Sequence, residues 1–454
     1  MYKGVDTNSL LKNAQYLRSL DFLESHHRLI SELVLECFNK MTNDQKKFIS
    51  NQIVDVLRRT QDREIIDSLL KNDLEFFQSL DLSPNFKSKY IEVDISIDNY
   101  GIDKHLLYDF YNTPAEIINK LVRESSFDKI FKNIDYMLIL ANDSLIKQNQ
   151  QMYLKYFNKY LESYDLYLVD KVSLSDSNIL QNIGFNSKPS PTIKEKLSKV
   201  SIIMSAFNSA DTIVYAIKSL LVQTYTNFEI LICDDCSSDD TLSIAKELAA
   251  KDARIKVFRS KANQGTYNIR NALIEYATGD YITFHDSDDF ALPTRIEFQV
   301  AKMQNPKVKV CYTRLLRIDE QGSFVFFFDG EVSRFCASSM MVRKSIFREL
   351  SKFRSSSVSA DTEYFKLIQH YYGNLAISII DKPLVLALWS RGSLTQQNGL
   401  VADNSGFVSQ KRRAYAEITA QQRIFGKDIV LDAQVNALLQ NCGIYREYTD
   451  LIEL

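Results

Sequence analysis

The sequence predicts an α/β domain with an open, mostly parallel sheet and helices on both faces. An all-α region precedes this domain, and a helical extension follows it. Four short apolar runs alternate with helical patterns from about residue 199, as in a parallel sheet with crossover helices. Before about residue 185 the chain is poor in glycine and proline and has helical periodicity. A polar segment with two prolines, 186–198, separates the two patterns as a linker.

Length and charge limit the possible classes of protein. The chain has 454 residues, enough for two or three domains, and its formal charge of −2 argues against a nucleic-acid binder. It has neither a long apolar run nor the apolar core of a signal peptide, and its six cysteines are scattered, so we expect a cytoplasmic protein. The predicted domains are 1–185 with a break near 84–114, the linker 186–198, 199–400, and 401–454.

The flanking helical regions carry no evident catalytic set. In the N-terminal region, Leu29-Ile30, Leu33-Val34 and Cys37-Phe38 recur on one helix face. We interpret this region as a scaffold that binds a protein partner, mediates self-association or orients a lipid-linked acceptor. The C-terminal region has a basic stretch, Lys411-Arg412-Arg413, which is either a solvated helix end or a contact with the inner face of the membrane.

The α/β region has four predicted strands at 200–204, 228–233, 255–258 and 281–285. Helices are predicted from about residue 211, from about Thr241 to Lys251, and from the Asn263-Gln264-Gly265 turn through Tyr276. Open parallel sheets bind ligands at the carboxyl ends of their strands. We therefore expect the functional site in the loops that follow these strands.

Three carboxylates follow the fourth strand. Asp286, Asp288 and Asp289 lie so close in sequence that their negative charges repel one another unless a cation binds between them. Hard divalent cations prefer carboxylate oxygens, and magnesium is often completed by substrate phosphates. The run therefore predicts Mg²⁺ or Mn²⁺ beside a phosphate-bearing ligand, although an isolated Asp-x-Asp is more often a solvated turn or a helix cap.

A second acidic loop, with Asp234 and Asp235, follows the second strand. Either residue at this strand end can accept a hydrogen bond from a nucleotide base, and helix capping is the alternative role. We expect Ser238 or Asp239 to cap the next helix, which would leave Asp235 free. For His285 we favour a strand histidine with satisfied hydrogen bonds over a metal ligand.

Four segments together resemble the inverting glycosyltransferases of family 2. They are 200–208, 233–241, 263–265 and 278–289, in the family's order and spacing, and the whole resemblance covers 199–395, under half the chain. It implies a GT-A fold, a UDP-sugar donor, and a glycan or lipid-linked acceptor in bacterial capsule or lipopolysaccharide synthesis.

The resemblance also implies roles for individual residues. Nucleotide-sugar contacts are expected from Ser205, Phe207, Asp234, Asp235, Arg270, Asp286 and Asp288. Metal contacts are expected from Asp288, Asp289 and Asp286. The family's catalytic base matches Asp361, with Glu363 as the second candidate. This chain departs from the family where Ala360 replaces the first residue of a Glu-Asp pair.

The segment 388–395 resembles the end of the family's domain. It carries Arg391 where related sequences often have histidine, and this cation would neutralise a diphosphate or bind a surface carboxylate. Trp389 is the only tryptophan of the chain, and it would stack on a sugar or pack in the core. Both residues are expected at the nucleotide-sugar site.

The predicted function is metal-dependent, inverting transfer of a hexosyl or N-acetylhexosaminyl group. The chain lacks the Gln-x-x-Arg-Trp motif and the membrane span of processive synthases, so we expect few additions per acceptor. A nucleotidyltransferase is disfavoured because 205–209 has no glycine-rich basic loop. A GT-A-like binding or scaffold protein without catalysis stays open because of Ala360.

Overall fold

The computed structural model describes residues 30–31, 33–60, 63–80, 135–174, 178–185, 198–325, 332–390, 412, 415–416, 418–419 and 451–453. The chain divides into two compact units. One comprises Ile134–Val325, Val332–Ser390 and Gly443–Leu454 and contains the main sheet. The other contains the N-terminal helices. Within the described ranges, no helix is both long and apolar enough to cross a membrane.

The N-terminal helices form a core of their own. They are α1 (Asn43–Thr60), α2 (Arg63–Asn72) and α3 (Leu74–Ser79), after a π-helical turn at Leu33–Cys37 and a 3₁₀ turn at Phe38–Lys40. The predicted apolar face is buried, since Leu33, Val34 and Phe38 lie in one cluster with residues of α1 and α2. Asp73 caps α3 by accepting a hydrogen bond from the Phe76 N–H at 2.9 Å. The helical prediction is therefore confirmed for the described residues between 33 and 80.

The second unit begins with a helical hairpin and a small sheet. The hairpin helices are α4 (Tyr136–Ile146) and α5 (Gln150–Glu162), which pack against each other. Asn149 caps α5 by accepting a hydrogen bond from the Met152 N–H at 3.1 Å. Strands β1 (Val169–Lys171) and β2 (Gly184–Phe185) then pair antiparallel.

A nine-stranded mixed sheet forms the centre of this unit. Its strands are β3 (Val200–Ala206), β4 (Phe228–Asp234), β5 (Ile255–Ser260), β6 (Tyr281–Phe284), β7 (Asp289–Ala291), β8 (Val310–Ile318), β9 (Ser333–Arg343), β10 (Ile377–Leu388) and β11 (Leu451–Glu453). The spatial order is β11-β5-β4-β3-β6-β9-β8-β10-β7. Strands β3 to β6 are parallel, and β8 is parallel to β10, whereas β7, β9 and β11 pair antiparallel with their neighbours.

Six helices flank this sheet. They are α6 (Ile213–Leu221), α7 (Thr241–Ala249), α8 (Thr266–Tyr276), α9 (Arg295–Met303), α10 (Ile346–Glu349) and α11 (Ala360–Tyr372). Strands β3 and β4 are almost fully buried, as expected for apolar runs covered on both faces. The four predicted strands and the predicted GT-A class of α/β fold are confirmed.

The last residues of the chain are a strand, not a helix. Leu451, Ile452 and Glu453 pair antiparallel with β5, which would otherwise be the edge of the sheet. The side chain of Leu451 packs against the core of the sheet. Pairing with an open edge therefore outweighs the helical tendency that the sequence of 401–454 predicts locally. The other predicted helical residues of this region lie largely outside the described ones.

The hairpin α4–α5 packs within the same unit as the sheet, ahead of the predicted linker. The Asn142 side chain donates to the Phe324 carbonyl at 2.9 Å and accepts from the Phe324 N–H at 2.8 Å. The Tyr153 hydroxyl donates to the Gly322 carbonyl at 2.8 Å, and its ring stacks on Phe324. These hydrogen bonds join residues 169 and 182 positions apart in sequence, which is why composition placed the division at 186–198 instead.

Gly279 lies where two segments of backbone approach closely. A Cβ atom at this position would lie 2.6 Å from the Ser201 nitrogen and 2.7 Å from the Lys199 carbonyl oxygen. The helix before it already ends at Tyr276. Glycine is therefore required here by the packing of the chain against β3, and not by a left-handed helix end.

Glu229 is a buried carboxylate at the end of the sheet where β3 and β4 begin. Its Oε1 accepts hydrogen bonds of 2.7 Å from the Ser201 hydroxyl and from the Thr278 N–H and hydroxyl, and Lys199 pairs with Oε2 at 3.1 Å. Burial alone would raise the pKa of Glu229, but these hydrogen bonds outweigh it and lower the pKa from 4.5 to about 2. The ionised form therefore stabilises the fold.

Replacing this carboxylate should destabilise the sheet and change its response to acid. Because the pKa is lower in the folded state, the stabilisation is complete above the unfolded pKa and is lost as pH falls from 4.5 towards about 2. Since each pKa unit is worth about 1.4 kcal/mol, we expect Glu229→Gln to lower the free energy of unfolding at pH 7 by roughly 3 kcal/mol. Thermal unfolding of both proteins from pH 7 to pH 3 measures this. An equal slope against pH in both would contradict it.

Candidate active site

Three loops at the carboxyl ends of the central strands are tied together by hydrogen bonds. After β3, the Asn208 N–H donates to the Ser237 hydroxyl at 2.9 Å, and the Ser209 N–H donates to Thr241 at 2.7 Å. The Ser209 hydroxyl also bonds the Ser287 hydroxyl of the acidic run at 2.8 Å. The predicted nucleotide-site segments after β3, β4 and β6 therefore lie together at one edge of the sheet.

The first loop presents the two residues that the resemblance assigns to the nucleotide. Ser205 is half-buried at the end of β3, while the Phe207 side chain is 49% exposed. A large exposed aromatic ring beside a polar loop is available to contact a ligand. Ala206 pairs with Asp234 of β4, so this loop and the first acidic loop are adjacent.

The two carboxylates after β4 have different surroundings. Asp235 accepts hydrogen bonds of 2.8 Å from the N–H groups of Gln264 and Gly265, one on each oxygen. The expectation that Asp235 is free is therefore wrong, because this carboxylate holds the turn before α8. Asp234 is almost fully buried, and its Oδ2 has no hydrogen-bond partner and lies 3.6 Å from the Arg259 Nε. Asp239 accepts a hydrogen bond from the N–H of Thr241, the first residue of α7, at 3.0 Å, but the N-cap residue is Asp240, whose side chain makes no capping hydrogen bond.

Each carboxylate of the acidic run has a different environment. Asp286 accepts a 2.5 Å ion pair from the Arg270 guanidinium, and Asp289 accepts a hydrogen bond from the Leu388 N–H at 3.2 Å. Asp288 is half-buried, and no ion pair joins its carboxylate to another described residue. Burial, followed by the charge of Asp286, raises the pKa of Asp288 to about 6. Burial and the neighbouring Asp288 raise the pKa of Asp289 as well.

Burial first, and the charges of the neighbouring aspartates second, disfavour the ionised form of Asp288 and Asp289, and a bound cation would favour it. Among the described residues, no group of three or more histidine, cysteine, aspartate or glutamate side chains is arranged to hold a metal ion. Asp286 and Asp289 already have partners in Arg270 and Leu388, so the three predicted ligands do not act alike. The arrangement fits a magnesium or manganese ion held by Asp288 and completed by substrate phosphates.

His285 is a buried strand histidine with both ring nitrogens occupied. The Arg295 guanidinium donates to Nδ1 at 2.9 Å, so the ring proton lies on Nε2 and is donated to the Asp289 carbonyl at 3.1 Å. Burial and the charge of Arg295 lower the pKa of His285, which keeps the ring neutral. The favoured interpretation of His285 agrees with this geometry, and the ring holds the acidic run in place instead of binding a metal.

Arg270 connects the acidic run with the candidate base. It is buried on α8 and lies behind Asp286, with its guanidinium 5.5 Å from the Tyr267 ring and 5.1 Å from the Phe284 ring. The charges of Asp286 and Asp361 both act on it. Its burial indicates that it holds the acidic run, so direct contact with a nucleotide is not supported by this position.

Asp361 is half-buried in the first turn of α11. The residue before the helix start, Ser359, has a left-handed backbone with φ of 60°, a conformation that often occurs at functional sites. Tyr267 lies near Asp361, and burial, followed by the charge of this carboxylate, raises the pKa of Tyr267. Glu363 is instead buried, with its Oε1 3.8 Å from the Arg354 Nε. Asp361 is therefore the more accessible of the two candidate bases.

Trp389 lies directly after β10, and its ring centroid is 5.4 Å from the Arg317 guanidinium carbon. The Trp389 side chain is half-buried, and the backbone N–H of this residue donates to the Ile318 carbonyl at 2.8 Å. It therefore belongs to the edge of the site and not to the core. Arg391 lies outside the described residues.

Sequence patterns missed Arg317, Tyr267 and Tyr215. Tyr215, on α6, donates a 2.7 Å hydrogen bond to the Asp288 carbonyl. None of the three belongs to a motif of acidic residues, and each reaches the site from a separate element. Only the pairing of strands and the packing of helices bring them there.

The comparisons with known proteins agree with this geometry. The model of glycosyl transferase family 2 matches residues 201–350. EpsE of Bacillus subtilis, named as a glycosyltransferase, is 38% identical over 168 residues, covering 35% of this chain and 60% of EpsE. WfaP of Escherichia coli, a UDP-Glc:α-D-GlcNAc-diphosphoundecaprenol β-1,3-glucosyltransferase, is 30% identical over 262 residues, covering 55% of this chain and 97% of WfaP.

Among solved structures, that of S. aureus TarS in complex with UDP-GlcNAc has a TM-score of 0.38 at 18% identity, covering 54% of this chain and 80% of that chain. The match with WfaP spans nearly the whole of that enzyme, and the family model matches the part of the sheet that carries the acidic loops. The chain is therefore a glycosyltransferase and belongs to glycosyltransferase family 2.

Proposed function

We propose that this enzyme transfers a sugar from a UDP-sugar to a hydroxyl of a lipid-linked glycan, with inversion at the anomeric carbon. The observation that carries this proposal is the connection of the acidic run to Asp361 through α8. Arg270 of this helix pairs with Asp286 at 2.5 Å, and Tyr267, one turn earlier, has a pKa that burial and then the charge of the nearby Asp361 raise. Tyr267 and Arg270 are three residues apart and so lie on one face of α8, and the charges of Asp286 and Asp361 both act on Arg270. The acidic run and the candidate base are thus held beside the same helix face.

The choice of donor and acceptor rests on the relatives. WfaP and WfgD, two E. coli relatives, both carry the name of a UDP-Glc:α-D-GlcNAc-diphosphoundecaprenol β-1,3-glucosyltransferase. The WfgD match is 41% identical but covers only 44% of that protein, so the WfaP match is the stronger support. We infer the same class of reaction for this chain, in synthesis of a surface polysaccharide such as capsule or lipopolysaccharide, at the inner face of the membrane.

In the proposed reaction, Asp361 takes the proton of the acceptor hydroxyl as that oxygen attacks the anomeric carbon. The new carbon–oxygen bond forms on the face opposite the UDP group, whose bond to the sugar breaks, so one displacement inverts the configuration. Asp288 would hold Mg²⁺ or Mn²⁺, which would neutralise charge on the leaving diphosphate. Ser205, Phe207 and Asp234 would contact the nucleoside. That the N-terminal helices bind a protein partner remains a prediction.

Thermal unfolding with a panel of nucleotide sugars tests the donor and the metal together. We expect UDP-sugars with Mn²⁺ to raise the unfolding temperature of the unit that contains the nine-stranded sheet. GDP- and dTDP-sugars should have little effect on it. A ligand at a hundred times its dissociation constant contributes about 2.7 kcal/mol, which corresponds to a shift of about 5 °C or more. If UDP-sugars raise the unfolding temperature equally in EDTA, binding does not depend on a metal ion. A larger rise with a GDP-sugar than with a UDP-sugar would contradict UDP as the donor nucleotide.

A further inference from the structure

Arg317 lies beside the acidic run because of the pairing of three strands. Ala387 of β10 pairs with Arg317 of β8 on one side and with Asp289 of β7 on the other. Paired residues on neighbouring strands point to the same face of a sheet. Two strand spacings of about 4.8 Å therefore separate the backbones of Arg317 and Asp289, and both side chains leave the same face.

Among the described residues, one carbonyl and one aromatic ring hold the guanidinium of Arg317, and most of its N–H donors have no acceptor there. Its Nη1 donates to the Leu388 carbonyl at 3.2 Å, and the group lies over the ring of Trp389. A guanidinium has five N–H donors in a planar fork. Stacking on an aromatic ring and one hydrogen bond to a backbone carbonyl orient this fork and leave its other N–H donors available to a ligand.

Arg317 also differs from its neighbouring arginines in its charge partners. Arg270 pairs with Asp286, Arg314 pairs with Asp381, and Arg354 lies beside Glu363. Arg317 forms no ion pair with any described residue, although its charge acts on Asp288 and Asp289 and opposes the rise in their pKa. It is half-buried, so its charge is only partly solvated, next to an acidic run suited to a metal ion. The negative charge of a ligand with two adjacent phosphate groups would be neutralised here by Arg317 on one side and by the metal ion on the other.

We propose that Arg317 is a binding residue for a diphosphate, oriented by Trp389 and Leu388. This inference rests on the proposed transfer from a nucleotide sugar. The diphosphate belongs either to the donor nucleotide or to a lipid-linked acceptor, and both offer the same pair of phosphates to the guanidinium fork. The side chain thus supplies, from the protein, positive charge next to the ion that Asp288 would hold.

The test compares Arg317→Gln with Arg314→Gln in the full chain. Arg314 is also half-buried on β8 but already has a carboxylate partner, Asp381, so it is the matched control. UDP is titrated into each protein with Mn²⁺ by calorimetry. We expect the dissociation constant for UDP to rise about tenfold or more in Arg317→Gln, as for loss of one charged hydrogen-bond donor, and to change less than twofold in Arg314→Gln. Arg317→Lys, which keeps the charge but not the fork, should fall between the two.

A second measurement distinguishes the two sources of the diphosphate. KM is compared for a glycan acceptor with and without its lipid-linked diphosphate. An unchanged UDP constant with a tenfold higher KM for the diphosphate acceptor alone would assign Arg317 to the acceptor. UDP and acceptor constants within twofold of the wild type in folded Arg317→Gln and Arg317→Lys would overturn the inference. Failure of the wild type to bind UDP would instead contradict the proposed function.

Discussion

Asp361→Asn should retain UDP binding and lose sugar transfer. The substitution keeps the shape of the side chain and its hydrogen-bonding capacity beside Tyr267, but an amide cannot take the proton of the acceptor hydroxyl. General-base catalysis contributes about 10²–10⁴-fold, so we expect kcat to fall by that factor. Release of UDP in the presence of acceptor measures turnover, and calorimetry with UDP and Mn²⁺ measures donor binding.

Glu363→Gln is the matched control, since Glu363 lies two residues later on the same helix. Its carboxylate is buried with Arg354, so the substitution should lower the unfolding temperature and leave kcat within a few-fold of the wild type. The opposite pattern, with turnover retained in Asp361→Asn and lost in a folded Glu363→Gln, would assign the base to Glu363. Ala360 is fully buried among apolar side chains and offers no carboxylate. The same comparison therefore tests whether a chain with alanine at this position catalyses transfer.

Asp288→Asn should weaken metal-dependent binding of UDP about a hundredfold. Asp288 is the member of the acidic run whose carboxylate is not engaged by Arg270 or by the Leu388 N–H. Losing one charged ligand to a cation in a partly buried site costs about 3 kcal/mol, which corresponds to roughly a hundredfold weaker binding. Titration of UDP at several Mn²⁺ concentrations measures this loss.

Asp280→Asn provides the control for charge alone. Asp280 lies just before β6, at the other end of the strand that leads into the acidic run, and it is exposed. It accepts a hydrogen bond from the Lys199 N–H at 3.0 Å, far along the sheet from Asp288. We expect the Asp280→Asn variant to bind UDP with the affinity of the wild type. Unchanged metal-dependent binding in Asp288→Asn would refute Asp288 as the metal-binding residue.

Local patterns predicted the central part of the fold well. Apolar β-rich runs and the turns between them depend on neighbouring residues, so β3 to β6 and α8 were found at nearly their observed positions. The later strands were not predicted, and the edge strand β11 was taken for helix, because each forms only by pairing with a distant part of the chain. The packing of Asn142 and Tyr153 on the turn before residue 325 was missed for the same reason.

By itself, the sequence determined that acidic loops follow buried parallel strands, and this places a charged site at one edge of the sheet. The tertiary structure decided what each carboxylate there can do. Asp235 holds a turn, Asp286 holds Arg270 and Asp289 holds Leu388, whereas Asp288 is left for a ligand. Only the register of β7, β10 and β8 brings Arg317 beside this run. The physical reason is that a hydrogen bond or an ion pair depends on distance in space, and spacing along the chain does not contain that distance for residues on separate strands.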